Sequence, residues 1–167
     1  MLFQSQDSKT GWDLWLLPLN ADRMPTPLLQ SQFNEQEGQF SPDGQWIAYS
    51  SDESGRLEVY VQPFGRQGVR WQISPGGGSQ PMWRRDGREL FYLAPDRRLM
   101  AVEVRGTPTF EAGTPRPLFQ VRVTDITFRN HYQVSADGER FLVASVGSET
   151  AVSPIAVVLN WPALLRP

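Results

Sequence analysis

Short runs of apolar and β-prone residues recur along the chain, separated by polar turn residues. The clearest runs are at 46–51, 57–63, 89–93, 99–105 and 140–145. Each run has the length of a strand, and no segment shows the 3.6-residue apolar period of an amphipathic helix. The Gly-, Pro- and Thr-rich stretch 106–117 predicts a loop. The pattern therefore predicts an all-β fold.

Three segments share one motif, in which Asp-Gly precedes two polar residues and a β-prone run. The copies lie at 39–49, 82–92 and 133–143, and their Asp-Gly pairs begin at residues 43, 86 and 137. Asp-Gly between apolar runs is typical of a hairpin, because glycine adopts the required positive φ without strain. We expect a hairpin in each copy, with the carboxylates of Asp43, Asp86 and Asp137 capping their own turns.

A fourth, partial copy lies at the N-terminus. Residues 2–19 align without a gap onto residues 47–64, which places Asp13-Leu14-Trp15 on Glu58-Val59-Tyr60. A period near 45 residues with several strands per unit is typical of propeller blades, each a four-stranded antiparallel sheet. We predict a single partial β-propeller domain over 1–167 with about three and a half blades. The blades are expected at approximately 1–33, 34–75, 76–122 and 123–167.

The second blade carries a family resemblance. Its Ser-Pro-Asp-Gly-Gln-Trp-Ile-Ala-Tyr run at 41–49, followed by Glu-Val-Tyr-Val at 58–61, resembles the TolB-type propeller repeat. The closing stretch 155–161 resembles the end of propeller regions attached to bacterial serine/threonine kinases. The resemblance implies a non-catalytic scaffold or sensor that binds a protein or peptide partner, in an extracytoplasmic location and within a larger protein. Relatives also form accessory domains of prolyl-oligopeptidase-like peptidases.

Composition narrows the classes of partner. Glycine and proline number 14 each, which argues against a helical bundle. The net charge of −2 gives no basic surplus for a nucleic-acid partner. The absence of cysteine excludes disulfides, thiolate zinc sites and cysteine nucleophiles. The longest plain apolar run, 155–159, is far shorter than the roughly 20 residues of a membrane helix, so we expect no direct membrane insertion.

The sequence holds no complete catalytic motif. His131 is the only histidine and Lys9 the only lysine, and there is no Gly-x-Ser-x-Gly elbow or kinase motif. Gly76-Gly77-Gly78-Ser79 lacks the lysine of a phosphate loop, and we interpret it as a flexible linker. We therefore expect a protein that is not an enzyme, with no cofactor and no metal site.

One catalytic alternative stays open. Glu35, Glu37 and Asp52 could belong to a propeller hydrolase that acts on glycans, because glycosidases use paired carboxyl groups. The chemistry requires a fixed separation between the two carboxyl groups across a pocket, and the sequence does not show such a separation.

The expected partner-binding surface is one end of the blades. This end carries the loops that join the second and third strands of each blade and the loops that connect one blade to the next. Loops at such an end vary while strands are fixed by packing. We name this surface the loop face. Its expected residues are Glu35, Glu37, Asp52, Arg56, Gln80, Asp96, Arg97, Arg129 and His131. Because the first blade lacks an inner strand, we also expect an open arc that belongs to a longer chain or closes by self-association.

Overall fold

The apolar runs form antiparallel strands, as expected. A computed structural model describes residues 1–20, 23–66, 68–106, 109–123 and 130–145, together with the backbone of 156–158. All regular elements in these ranges are strands, so the chain is all-β. The described residues include no helix with the length and hydropathy needed to cross a membrane. The chain divides into two compact units, Met1–Pro81 and Met82–Pro167.

The first unit contains two antiparallel sheets. The strands of the first sheet, in spatial order, are β1 (Leu2–Asp7), β2 (Gly11–Leu16) and β3 (Thr26–Leu29). Those of the second are β4 (Glu35–Phe40), β5 (Trp46–Ser51), β6 (Glu58–Pro63) and β7 (Trp71–Gln72). Strand β4 packs against β1 and β2. The second sheet is the four-stranded blade that the repeat predicts.

A glycine allows the two sheets of the first unit to approach closely. A Cβ atom on Gly38 would lie 2.9 Å from side-chain atoms of Leu2 and Leu14, which is shorter than real Cβ contacts. The apolar cluster around this approach includes Leu14, Ile47, Tyr49 and Tyr60, all almost fully buried. Burial of this cluster therefore attaches the first sheet to the second.

The second unit contains most of the remaining strands. A five-stranded sheet is built from β8 (Ser79–Trp83), β9 (Glu89–Leu93), β10 (Arg98–Arg105), β11 (Glu111–Ala112) and β12 (Arg116–Gln120), with β8 crossing the boundary between the units. A further sheet contains β13 (Tyr132–Val134), β14 (Phe141–Val143) and β15 (Ala156–Val158). Phe91 and Phe141 are fully buried and meet edge to face, with ring centroids 5.0 Å apart. Aromatic side chains therefore pack between these two sheets.

The three Asp-Gly turns are confirmed. Gly44, Gly87 and Gly138 have φ of 70°, 71° and 74°. In each turn the aspartate Oδ1 accepts the backbone N–H two residues later, at 3.1 Å for Asp43, 3.0 Å for Asp86 and 3.0 Å for Asp137. The carboxylates cap their own turns, as expected.

Two local predictions are wrong. The stretch 106–117, predicted to be a loop, contains β11, because β10 extends far enough for Val104 and Arg105 to pair with it. The glycines at 76–78, interpreted as a flexible linker, are held in place. The backbone N–H of Gly77 donates to the Ser74 carbonyl at 2.9 Å, and that of Gly78 donates to the Leu57 carbonyl at 2.9 Å.

Candidate functional site

Strand β4 carries a bulge at the loop face. The pairing of β4 with β5 shifts between Gln36 and Gln39, which leaves Glu37 in the irregular segment with a φ of 59°. The Glu37 backbone N–H donates to Oε1 of Gln4 at 2.9 Å. Bulges of this kind redirect side chains at the ends of sheets.

The Glu37 side chain reaches the next inner strand. Its Oε2 accepts the Ser50 hydroxyl at 2.7 Å and the backbone N–H of Gln80 at 2.6 Å. Gln80 is buried and has a φ of 58°. Glu37 and Gln80 have the same separation as Asp43 and Asp86, so they hold equivalent positions in successive repeats.

His131 is the equivalent residue in the last repeat, because its separation from Gln80 equals that between Asp86 and Asp137. It lies in the second unit, is half-buried, and its carbonyl accepts the N–H of Ala144 at 2.8 Å. Arg129, two residues earlier, lies outside the described residues.

Asp52 accepts hydrogen bonds from a neighbouring segment of the first unit. Its carboxylate accepts the Asn34 backbone N–H at 2.9 Å and the Asn34 amide at 2.6 Å. The amide oxygen of Asn34 in turn accepts the Trp12 backbone N–H at 3.1 Å. Asp52 thereby fixes the segment that enters β4 against β2.

Glu35 is a buried acid at the start of β4. Its Oε1 accepts the Ser31 hydroxyl, and it is only 4% exposed. Burial raises the pKa of the Glu35 carboxyl above its ordinary value, and the charges of Asp13 and Asp52 act in the same direction. Hydrogen bonding from Ser31 opposes the rise in this pKa. Glu35 is therefore an acid whose ionisation the fold disfavours.

Arg56 and Glu58 together hold the segment 75–78 in place, and we call this arrangement the clamp. The Nε of Arg56 lies 2.7 Å from Oε1 of Glu58, and its Nη2 donates to the Pro75 carbonyl at 2.8 Å. Glu58 is fully buried, and its Oε2 also accepts the Ser74 hydroxyl at 3.0 Å and the Gly77 N–H at 3.2 Å. The guanidinium itself remains largely exposed at the loop face.

Asp96 and Arg97 form an exposed turn in the second unit. Asp96 Oδ1 accepts the Arg98 N–H at 3.1 Å, and its Oδ2 lies 3.3 Å from the Arg98 guanidinium. Arg97 has a φ of 66°, and its carbonyl accepts the N–H of Val121 at 2.9 Å. The backbone of Arg97 is thus held in place by β12 and by Val121, the residue that follows this strand.

Left-handed backbone conformations concentrate among the expected loop-face residues. In the described ranges, the non-glycine residues with positive φ are Arg23, Glu37, Gln80 and Arg97. Three of these four belong to the loop face. Such conformations cost about 1–2 kcal/mol per residue and persist only where the surrounding structure imposes them.

The burial of two acidic residues was not predicted from the sequence. Asp13 and Glu58 are fully buried at aligned positions of the first two repeats, each anchoring a loop. Asp13 Oδ2 accepts the Thr10 hydroxyl at 2.7 Å and the Gln30 amide at 3.0 Å. An acid followed by an apolar pair, repeated at the same place, is the signal that could have found them.

The chemistry available at the loop face is limited. Within the described ranges, no group of three or more His, Asp or Glu side chains is placed to hold a metal ion. The structure joins Glu37 to Gln80 and places Glu35 in electrostatic contact with Asp52. Asp96, Arg97 and His131 belong to the second unit.

Comparison with solved structures supports the propeller fold. The β-propeller domain of Swd1 from Myceliophteria thermophila has a TM-score of 0.53 at 16% identity, with 78% of this chain and 46% of that chain covered. A candidate 6-phosphogluconolactonase from Bacteroides uniformis has a TM-score of 0.50 at 14% identity, covering 83% and 42%. TolB from Acinetobacter baumannii has a TM-score of 0.47 at 15% identity, covering 95% and 49%.

The chain spans less than half the length of each of these structures. No family model matches the sequence, and no curated relative was found. The prediction of an all-β propeller fold is confirmed, and TolB is among the solved structures to which the chain is similar. The attachment to a kinase stays a prediction.

Proposed function

We propose that the chain is a non-catalytic β-propeller module that binds a protein or peptide partner through its loop face. The observation that carries the proposal is the positive φ of Glu37, Gln80 and Arg97. A strained backbone conformation at a residue other than glycine persists only where hydrogen bonds and packing impose it. Such conformations are typical of positions whose side chains are held for function. A rigid scaffold with fixed loops loses little conformational freedom when it binds.

The hydrogen bonding of the acids supports a binding role over catalysis. Asp52 is bonded to Asn34, and Glu37 is bonded to Ser50 and Gln80. A glycosidase needs one carboxyl group as a proton donor and another as nucleophile or base, both facing the sugar. Carboxylates that already accept internal donors are poorly suited to these roles.

The hydrolase alternative has one specific observation in its favour. A buried carboxyl with a raised pKa, such as Glu35, resembles the general acid of a glycosidase. With so little of Glu35 exposed, its carboxyl group is poorly placed to reach a sugar ring. An accessory role in a prolyl-oligopeptidase-like peptidase agrees equally with a binding module, and so does membership of a larger, kinase-associated protein.

A selection for peptide ligands tests the proposal. A random-peptide library is selected on the wild-type chain, and the affinity of the best peptide is then measured against Arg97→Ala and Arg85→Ala. Arg85 is an exposed arginine on an Asp-Gly hairpin at the other end of its sheet, so it is a matched control. We expect Arg97→Ala to weaken binding at least tenfold and Arg85→Ala to leave it unchanged.

The opposite order of effects would reject the loop face as the binding surface. Turnover of any substrate in a broad glycan panel, abolished by Glu35→Gln, would favour the hydrolase instead.

A further inference from the structure

Two buried carboxyl oxygens in the first unit have no hydrogen-bond partner among the residues that the structure describes. They are Oδ1 of Asp13, on β2, and Oε2 of Glu35, on β4. Asp13 is fully buried and Glu35 is 4% exposed. A buried carboxylate oxygen without a donor is costly, because it has lost its water and gained nothing in exchange.

The other oxygen of each group is satisfied, but unequally. Oδ2 of Asp13 accepts two donors, the Thr10 hydroxyl at 2.7 Å and the Gln30 amide at 3.0 Å. Oε1 of Glu35 accepts the Ser31 hydroxyl, which itself accepts the Phe33 N–H at 3.0 Å, and the Ser31 backbone N–H also interacts with the Glu35 carboxyl. Despite these contacts, burial raises the pKa of the Glu35 carboxyl above its ordinary value, so Glu35 is the group assigned the proton.

The charges around Glu35 favour the same assignment. Asp13 faces it from β2 and Asp52 from the end of β5, and both are acidic. The Tyr49 hydroxyl on β5 is also in electrostatic contact with Glu35. Like charges around a buried carboxyl group raise the free-energy cost of ionising it.

We propose that Asp13 and Glu35 share one proton in the folded chain, with the Glu35 Oε2–H donating to Asp13 Oδ1. One proton then satisfies both unpartnered oxygens and links β2 of the first sheet to β4 of the second. When the pH rises, the proton leaves Glu35 for solvent, and two buried anions face each other across the contact between the sheets. The pair is thus a pH-sensitive lock on the attachment of the β1–β3 sheet.

The sign of the pH dependence follows from the raised pKa of Glu35. The stabilising contribution is fully present below the ordinary glutamate value of 4.5 and is lost as pH rises through the folded-state value.

A carbon-13 NMR titration of the Glu35 side-chain carboxyl in the full chain tests the lock. We expect a titration midpoint above 4.5 in the wild type and a lower midpoint in Asp13→Asn, because the neighbouring charge is removed and the amide can donate to Glu35. A midpoint at or below 4.5 in the wild type would overturn the proposal.

A second measurement does not depend on assigning the resonance. Glu35→Gln replaces the acid O–H with an amide donor that cannot ionise, so the melting temperature of the wild type should fall relative to this variant as pH rises. Parallel melting temperatures at all pH values would overturn the lock. A bound cation in place of the proton would appear as a rise in wild-type melting temperature with added NaCl or CaCl2, absent in Glu35→Gln, and would also overturn it.

Discussion

The Glu37 carboxylate accepts the backbone N–H of Gln80 at 2.6 Å, and the two residues occupy the same position in successive repeats. Both have left-handed backbone conformations. A side chain from one inner strand therefore satisfies the strained backbone of the next. This relationship holds the part of the loop face that lies in the first unit in a fixed geometry.

Removal of the Glu37 carboxylate should destabilise the first unit. In Glu37→Ala the buried Gln80 N–H and the Ser50 hydroxyl lose their acceptor, at an expected cost of about 1–3 kcal/mol in the free energy of unfolding. Urea denaturation measures this loss. Glu37→Gln keeps an acceptor oxygen and should lose less than half as much. Equal losses in the two variants would mean that charge, rather than hydrogen bonding, is what matters.

Much of the fold could be predicted from the sequence because its signals are local. Asp-Gly specifies a turn because its glycine readily adopts a positive φ, and this preference does not depend on residues distant in sequence. Positive φ is found at Gly44, Gly87 and Gly138. The lengths of the apolar runs and the turn residues that bound them then place strands such as β5 and β9 at the predicted bounds.

The remaining features depend on partners distant in sequence. The bulge at Glu37 depends on Gln4 and Gln80, and the burial of Asp13 depends on Gln30 and on the packing of β4. The anchoring of the 76–78 segment depends on a buried Glu58, which composition alone presents as a solvated acid. The acids repeated at Asp13 and Glu58 are a local signal of burial, but no local pattern encodes which groups these acids contact.

Two equivalent Asp-Gly turns should differ in their tolerance of alanine. Gly44→Ala meets only the strain of a φ of 70°, since no atom lies within 4 Å of the new Cβ. In Gly138→Ala the φ is 74° and the Cβ would lie 2.7 Å from Nε of Arg84. We expect about 1–2 kcal/mol of destabilisation for Gly44→Ala and a larger loss for Gly138→Ala, measured by urea denaturation.

A double-mutant cycle isolates the steric part of this difference. In an Arg84→Ala background, the cost of Gly138→Ala should fall to that of Gly44→Ala. An unchanged cost would show that the Arg84 side chain moves aside freely.

Two arginine–glutamate pairs of the first unit have the same length but should differ in energetic value. Arg56 and Arg70 each place Nε 2.7 Å from a glutamate oxygen, but Glu58 is fully buried whereas Glu53 is partly exposed. Arg56→Ala should cost about 1–3 kcal/mol and expose the 75–78 segment to proteolysis. Arg70→Ala should cost less than about 1 kcal/mol. Similar losses, with no change in proteolysis, would contradict the clamp.

Tyr49 should make the first unit sensitive to alkali. Burial, assisted by the charge of Glu53, raises the pKa of the Tyr49 hydroxyl well above its ordinary value of 10.0. The stabilising contribution is therefore present below pH 10.0 and is lost as pH rises above it. Urea denaturation measures the difference in free energy of unfolding between the wild type and Tyr49→Phe. This difference should be smaller at about pH 11 than at about pH 8. A constant difference between them would show that Tyr49 does not ionise on unfolding.

The most direct test of binding through the loop face is hydrogen–deuterium exchange with and without a selected peptide ligand. We predict slower exchange at 35–37, 52–57, 79–81 and 94–98, with no change in the Asp-Gly hairpins at 41–45, 84–88 and 135–139. Protection confined to the hairpins, or absent from all these segments at saturating peptide, would contradict the account.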